Sequence, residues 1–347
     1  MIADPLDISG VYERYRPAIL AALHGAVPTD AAVAEIYDLL RYHLGWLDER
    51  FQPTAARSGK RLRPTFCLLS CEAAGADYRR ALPAAAALEL LHNFSLIHDD
   101  VEDRGTERWG RPTVMARWGD ALAINAGDAM LILSGLALLD GDVSVGPRET
   151  LRMLRVLNET CLRLTEGQHL DISRERDLAM TPEQYQEIIV RKTAALLGCS
   201  CQLGALAAGA EEKRAAAFRE FGTQIGIAFQ IQDDILGIWG DPAITGKPAA
   251  ADVRGHKITL PVIAALARAE PSVAARIAAV YQADDPEDAA VAGVVGYLDR
   301  LGVRAQSEAA AEAAVNRGLA ALTDAHPVRP HGEELRAIAF SLLGRSS

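Results

Sequence analysis

Apolar residues recur at intervals of three to four along most of the chain, which is the spacing of a helix with a buried face. The clearest stretches are PTFCLLSCEAAG, ALPAAAALELLHNFSLIHDDVED, TPEQYQEIIVRKTAALLGCSCQLGALAAGA and RAAAFREFGTQIGIAFQIQDDILGIWGD. The first is expected to start with Pro64 at position N1 and to end at Gly75; the third is expected to have Thr181 as N-cap. Alternating patterns typical of strands are scarce. The pattern therefore predicts an all-α protein of about ten helices.

The connecting segments are short and do not resemble domain linkers. Several helical stretches are apolar nearly all round, which indicates a core larger than that of a four-helix bundle. We therefore expect residues 1–347 to form one large helical bundle domain. About the first 30 residues are expected to be a loosely packed N-terminal extension.

The composition of the chain argues against nucleic-acid-binding and membrane proteins. The chain has 347 residues, with 36 Lys and Arg against 46 Asp and Glu, so its net charge is −10. This balance argues against a nucleic-acid binder and against docking on anionic lipid through charge. The longest apolar run, Ala129–Leu139, is too short to span a bilayer, and the N-terminus does not resemble a signal peptide. We expect a cytoplasmic protein without stable membrane insertion, whose five cysteines are buried free thiols.

Two acidic clusters end two of the apolar stretches. The first contains Asp99, Asp100 and Asp103 with Glu102 between them, and the second contains Asp233, Asp234 and Asp241. Positions i and i+4 share one side of a helix, so Asp99 and Asp103 are expected to face the same way. Either cluster alone would equally fit a solvated helix end, whereas the pair favours a divalent cation with oxygen ligands, such as Mg²⁺. Because Mg²⁺ usually also binds substrate phosphates, the pair predicts a phosphorylated substrate.

Basic residues lie beside both clusters, where they would balance the charge of such a substrate. They are Lys60, Arg61 and Arg63 before the first cluster, Arg104, Arg108 and Arg111 after it, Lys192 within an apolar stretch, and Lys247 and Lys257 after the second cluster. A single residue of this kind is most often a surface charge, but the placement of these residues beside the acidic clusters favours a phosphate site. The sequence lacks the GxxxxGK[ST], GxGxxG, HExxH and GxSxG motifs, which argues against a nucleotide-binding type of site.

The order of these residues resembles the trans-isoprenyl diphosphate synthases, the polyprenyl synthetase family. The matching blocks are GKRLRP, LLHNFSLIHDDVEDRGTERWGRPT, INAGD, EGQHLDI, KTAAL, FQIQDDILGIWGD and GKPAAADVRGHKITLP. The resemblance implies an isoprenoid synthase fold, a homodimer, and an active site in a central cavity. It also implies head-to-tail condensation of isopentenyl diphosphate with an allylic diphosphate, which would be dimethylallyl, geranyl or farnesyl diphosphate.

The resemblance also implies a role for each matching residue. Asp99, Asp103 and Asp233 would bind the Mg²⁺ that holds the allylic diphosphate, and these three with Lys192 form the expected catalytic set. The rest of the expected site comprises Arg108, Lys192, Lys247 and Lys257 on the allylic diphosphate, Lys60, Arg63 and His92 on isopentenyl diphosphate, and Thr193 and Gln230 along the allylic pocket.

Two positions depart from the family pattern. Trp109 stands where the family usually has the second of two arginines, which normally contacts isopentenyl diphosphate; Arg111 is the candidate to replace it. Gly237 stands at the last position of the second acidic motif, which is usually an aspartate. Because Asp233 matches the first aspartate of that motif, which carries most of the metal ligation in the family, we expect activity to be retained.

Residues before Asp99 on the same helix are expected to line the path of the growing chain. Ser95 lies one turn below Asp99 and is small enough to let the chain pass, and Phe94 beside it is the candidate floor. This placement resembles geranylgeranyl diphosphate synthases, so a twenty-carbon product is favoured. Farnesyl or geranylfarnesyl diphosphate is the alternative product.

Two other functions share this fold. A class I terpene cyclase would carry an NSE-type second motif and would have no use for GKRLRP. A non-catalytic subunit of a heteromeric synthase tends to lose an acidic motif. The chain has GKRLRP and both acidic clusters, which favours the synthase.

Overall fold

A computed structural model of the protein describes residues 7–29, 33–54, 59, 61–242 and 248–343. Most of these residues are helical, so the all-α class predicted from the sequence is confirmed. The first helices are α1 (Ile8–Ala26), α2 (Ala34–His43), α3 (Leu62–Ala73), α4 (Leu82–Glu102), α5 (Val114–Trp118), α6 (Asp120–Leu139), α7 (Asp142–Val145), α8 (Pro147–Ser173) and α9 (Pro182–Ile189).

The remaining helices are α10 (Ala195–Ala207), α11 (Glu212–Trp239), α12 (Ala251–Arg254), α13 (Leu260–Leu266), α14 (Pro271–Gln282), α15 (Asp288–Arg300), α16 (Val303–Asp324) and α17 (His331–Leu343). A 3₁₀ turn, Tyr78–Ala81, precedes α4, and a π-helical turn, Val190–Ala194, separates α9 from α10. The sheet in these ranges is a hairpin of β1 (Glu107–Arg108) and β2 (Arg111–Pro112). Short helices of four to seven residues raise the number above the predicted ten or so.

The chain divides into two compact units. The first comprises Met1–Cys161, Cys199–Arg219 and Ala325–Leu335, and the second comprises Leu162–Gly198, Glu220–Asp324 and Arg336–Ser347. Each unit is therefore assembled from three separate segments of chain. The single-domain organisation expected from the sequence stays a prediction.

In the first unit, α4 is the central helix. It packs along α6 and also contacts α1 and α3. Its alanines and leucines are buried along most of its length, as its nearly continuous apolar sequence predicts. This packing fixes the direction of α4 and with it the position of the acidic cluster at its C-terminal end.

The start of α3 and the packing of the N-terminal segment differ from the sequence prediction. Helix α3 begins at Leu62, so Pro64 lies third in the first turn, where its missing N–H is still tolerated. Residues 8–26 form a packed helix rather than a loosely packed extension, with Tyr15 and Leu23 fully buried. The third stretch begins as predicted: Thr181 caps α9 in a capping box with Gln184.

Helix α6 is longer than the apolar run within it. The whole helix spans 20 residues, and its length and apolar composition would suffice to cross a membrane. It is the one helix with these properties in the ranges that the structure describes. A core helix of a soluble protein has the same properties, so this is weak evidence for a membrane span.

In the second unit, α13 packs against α9, α15 and α16. Val262 and Ala265 of α13 and Val303 and Ala314 of α16 are fully buried in this core. The core supports the segments that carry the polar groups of this unit, α9 and the residues just before α13.

Candidate active site

An arginine from the hairpin holds the acidic end of α4. Arg108 donates through Nε to both carboxylate oxygens of Asp100, at 3.0 and 3.1 Å, and through Nη2 to Asp99 at 3.4 Å. Asp100 is buried, and this burial raises the pKa of its carboxyl, although Arg108 opposes the shift. Asp99 stays partly accessible, with 25% of its side chain exposed. The sequence-predicted Asp99 and Arg108 are therefore brought together, with Asp100 as the anchor of the arginine.

The turn of the hairpin consists of Trp109 and Gly110, both with positive φ, at 54° and 77°. This is the backbone twist that two-residue hairpins prefer, although tryptophan is an unusual residue for it. The Trp109 ring lies 5.7 Å from the His43 ring, and its edge lies next to Gly59. Trp109 thus lies beside the segment that leads into α3.

Arg111, the candidate replacement for the missing arginine, binds backbone groups. Its guanidinium donates to the carbonyl oxygens of Tyr42 and Leu47, at 3.1 and 2.7 Å, and lies over the Tyr42 ring. These contacts hold β2 against the end of α2. They give Arg111 a structural role, and its role as a replacement for the missing arginine stays a prediction.

Arg63 and His92 form a pair near the N-terminus of α3. Arg63 Nη1 lies 3.1 Å from His92 Nε2, and burial lowers the pKa of Arg63 to about 10 while Glu89 opposes the shift. Burial, followed by the nearby arginines, lowers the pKa of His92, so its imidazole is neutral. Arg63 Nε is buried and lacks a hydrogen-bond partner among the described residues. Lys60, assigned to the same subsite, lies outside the described residues.

Near this pair lies a buried polar chain whose connections were not predicted from the sequence, although Arg61 was named there as a basic residue. Arg61 forms an ion pair with Glu89 at 2.6 Å, and Asn93 donates to the Glu89 backbone oxygen at 2.8 Å. His43 interacts with Asn93, while its Nε2 has no partner among the described residues. The available signal was Glu89 itself, because a carboxylate within an apolar helix requires a buried cation.

The second unit contains a pocket that combines apolar and polar walls. Apolar side chains of Met180, Ile188, Ile189 and Ile258 face polar groups of Lys192, Thr193, Gln230, Asp234 and Lys257, with Tyr185 and Asp171 completing the lining. All the sequence-predicted residues of this unit that the structure describes, except Asp233, therefore line one pocket. Lys247, assigned to the same clamp, lies outside the described residues.

Asp234 organises the polar side of this pocket. It is fully buried and accepts hydrogen bonds from Tyr185 at 2.6 Å and from Gln230 at 2.9 Å, while Lys257 Nζ lies 3.2 Å away. Desolvation opposes the charge of Lys257, but the carboxylates of Asp234, Asp252 and Asp233 outweigh it and raise the pKa of the lysine. The cation is therefore permanent at physiological pH.

The π-helical turn Val190–Ala194 carries the two other polar residues of the pocket. Thr193 donates to Gln230 at 2.8 Å, and Lys192 forms an ion pair with Asp171. A π turn contains one residue more per turn than an α-helix and is frequent at functional sites. It turns Lys192 and Thr193 toward the pocket within an otherwise apolar helix.

The residues expected to bind metal are accessible. Asp99 and Asp103 lie one turn apart at the end of α4, where the Asp103 amide donates to the backbone oxygen of Asp99 at 2.8 Å. Asp233 is exposed and is next in sequence to the buried Asp234. Within the described ranges, no group of three or more His, Cys, Asp or Glu side chains forms a metal cage. Carboxylates of this kind fit Mg²⁺, which is typically held by one or two carboxylates together with substrate phosphates.

The two residues assigned to product length lie just before Asp99. Phe94 is buried and packs edge-on against the His98 ring, with the ring centres 4.9 Å apart. Ser95 is half-buried and donates to the His92 oxygen at 2.8 Å. Their role in product length stays a prediction.

Known proteins share this sequence and fold. Residues 45–298 match the family model described as polyprenyl synthetase. The chain is 39% identical to (2E,6E)-farnesyl diphosphate synthase of Mycobacterium tuberculosis, over 98% of this chain and 96% of the relative. It is 41% identical to geranylgeranyl diphosphate synthase of the same species, over 80% of this chain and 78% of the relative.

A polyprenyl synthetase from Streptomyces coelicolor A3(2) has a solved structure with a TM-score of 0.90 to this protein. The two chains are 34% identical, and the match covers 97% of this chain and 99% of the other. The isoprenoid synthase fold and the family resemblance drawn from the sequence are thereby confirmed. The chain belongs to the polyprenyl synthetase family and is a prenyltransferase of the short-chain type, which elongates prenyl diphosphates.

Proposed function

We propose that the protein is a Mg²⁺-dependent geranylgeranyl diphosphate synthase that condenses isopentenyl diphosphate with dimethylallyl, geranyl and farnesyl diphosphates. The observation that carries the proposal is that each of the two units contains a set of groups suited to binding a diphosphate. The first unit contains Arg63 paired with the neutral His92, and the second contains Lys192 and Lys257. Two sets suit an enzyme that binds two diphosphate substrates. A cyclase binds one diphosphate substrate and would not need the second set.

The residues of the second unit suit the allylic diphosphate. Lys192 and Lys257 would bind its oxygens, and Thr193 and Gln230 would line its path. Members of the family use a divalent metal, and here Asp99, Asp103 and Asp233 would hold Mg²⁺. When bound, the metal supplies positive charge that stabilises the departing diphosphate. The apolar pocket wall would exclude water from the allylic cation.

The residues of the first unit suit isopentenyl diphosphate. A buried donor without a partner costs about 1–3 kcal/mol, so the orphan Nε of Arg63 favours an anionic ligand at this position. Because Arg63 can only donate, His92 accepts through Nε2, and its Nδ1–H would be the group that donates to the same phosphate.

A product assay tests this function. The protein is incubated with isopentenyl and dimethylallyl diphosphates, with Mg²⁺ or with excess chelator, and the products are separated by chain length. We expect a twenty-carbon diphosphate with Mg²⁺ and none with chelator. A fifteen- or twenty-five-carbon diphosphate would support the alternative products, and a terpene hydrocarbon from an added prenyl diphosphate would identify a cyclase.

Phe94 and Ser95 are the candidate determinants of product length. Phe94→Ala should remove the floor and lengthen the product, whereas Ser95→Phe should block the path and shorten it. Each helical turn of about 5.4 Å corresponds to roughly one isoprene unit. Unchanged products from both variants would locate the floor on another helix.

We also propose that the protein is cytoplasmic, without stable membrane insertion.

We propose further that the protein is a homodimer in which the second copy covers one face of α6. The apolar side chains of Leu122, Ile124, Ile132 and Leu136 are 44–63% exposed on this helix. Exposed apolar patches of this kind mark association surfaces. Analytical ultracentrifugation should find dimers of the parent and monomers of Ile132→Glu. Phe340→Glu, at a position of α17 that is 54% exposed against 63% for Ile132, is the matched control and should stay dimeric.

A further inference from the structure

Position 237, on the helix that carries the second acidic cluster, is glycine and therefore has no carboxylate. It lies on α11 one turn after Asp233, on the buried side of the helix. No carboxylate can come from this position. A carboxylate from another part of the same unit occupies the space instead.

That carboxylate belongs to Asp252 of α12. A Cβ atom added at Gly237 would lie 2.7 Å from Asp252 Oδ1 and would overlap the other carboxylate atoms still more closely. Any residue larger than glycine at position 237 would therefore displace Asp252. The close approach depends on the missing side chain, not on an unusual backbone conformation of Gly237.

Asp252 touches Lys257 in two ways. Its carboxylate Oδ2 lies 3.9 Å from Lys257 Nζ, and its backbone oxygen accepts a hydrogen bond from the Lys257 amide at 2.9 Å. The Asp252 side chain is only 13% exposed, whereas the Lys257 side chain is 44% exposed. Asp234 also contacts the lysine, with its Oδ1 3.2 Å from Nζ. Lys257 is thus in contact with two carboxylates, of which Asp234 is fully buried and Asp252 is largely buried.

We propose that Asp252 is the positioning residue for Lys257, and that Gly237 is glycine because the Asp252 carboxylate occupies its side-chain space. The carboxylate missing from the acidic cluster is supplied from α12 instead of α11. It aims the Lys257 ammonium at the pocket, where the allylic diphosphate would bind. This inference rests on the proposed role of Lys257 in binding that diphosphate.

Steady-state kinetics with each substrate varied separately test this role. Asp252→Asn keeps the shape and removes the charge, so we expect the KM for the allylic diphosphate to rise roughly tenfold, as for other residues that orient a ligand-binding group. The KM for isopentenyl diphosphate should stay unchanged. Gly237→Ala should cause the same split because it displaces Asp252. Gly293→Ala, a helical glycine with open space around it, is the control and should leave both constants unchanged.

The double variant Gly237→Asp with Asp252→Gly separates positioning from packing. It returns one carboxylate to the same volume from the other helix, so we expect it to recover much of the allylic KM that Asp252→Gly alone loses. Equal KM values for Asp252→Asn and the parent would overturn the proposal, as would a double variant no better than Asp252→Gly. Lys257→Ala tests separately whether Lys257 binds the allylic diphosphate at all. If this variant has the KM of the parent for the allylic diphosphate, the proposed role of Lys257 is wrong, whatever the role of Asp252.

Discussion

At the scale of single residues, His43 makes the stability of the protein depend on pH. Burial, and then the charge of Arg108, lowers its pKa from 6.5 to about 3, so the folded state keeps it neutral. The unfolded chain binds a proton at this residue below about pH 6.5. The stabilisation is therefore fully present above that pH and is lost progressively as the pH falls toward 3.

We predict that replacing His43 flattens the acid side of the stability curve. Between pH 6.5 and 4, the free energy of unfolding of the parent should fall by up to about 3 kcal/mol more than that of His43→Gln. Urea unfolding at several pH values measures both slopes. His326→Gln, at an exposed histidine, should keep the slope of the parent. Parallel curves for the parent and His43→Gln would contradict the prediction.

Trp109 leads to a prediction about substrate affinity. Trp109→Arg adds a guanidinium beside Gly59 and the segment that leads to Arg63, where isopentenyl diphosphate is proposed to bind. An added charge-assisted hydrogen bond contributes about 1.5–3 kcal/mol, which corresponds to a KM roughly tenfold lower or more. The KM for the allylic substrate should stay nearly constant. Initial-rate measurements with each substrate varied check this, and an unchanged KM for isopentenyl diphosphate would mean that the role is already filled.

The residues that share a motif could be predicted from the sequence. Asp99, Asp233 and Lys192 stand at recognisable spacings, and the chemistry of carboxylates and phosphates suggests their use. The contact between Asp252 and Gly237 could not be predicted in this way. It depends on how the chain returns after α11, which no local spacing encodes.

At the scale of elements, periodicity identified the long helices but not the short irregular ones. The nearly continuous apolar run of α4 made that helix unmistakable. The π turn Val190–Ala194 adds one residue to a periodic pattern, which a window of many residues averages away. The hairpin was missed because strands of two residues are too short to show alternation.

The packing of α4 against α6 leads to a stability prediction. An added Cβ at Gly127 of α6 would overlap the His98 ring of α4, which packs against Phe94 and lies 3.2 Å from the Ile124 oxygen. Gly127→Ala should therefore destabilise the protein by about 1–3 kcal/mol, measured by denaturant unfolding. Gly293→Ala meets no atom and should be neutral or slightly stabilising. Equal destabilisation of both variants would refute the steric explanation.

At the scale of the whole molecule, the class of fold followed from composition and helical periodicity, whereas its division into two units did not. The chain passes between the units five times: four of these crossings lie inside α8, α10, α11 and α17, and the other lies at the end of α16, between Asp324 and Ala325. A boundary inside a helix carries no Pro- or Gly-rich signal, so sequence composition cannot mark it.

The interleaved course of the chain has a consequence for folding. Residues 1–161 contain most of the first unit but lack its two later segments, which include buried Leu203, Phe218 and Leu335. A ribosome must therefore deliver nearly the whole chain before either unit can close its core. We predict that a fragment of residues 1–161 shows helical circular dichroism without a cooperative thermal transition. A sharp calorimetric transition of the isolated fragment would show instead that the early segment folds by itself.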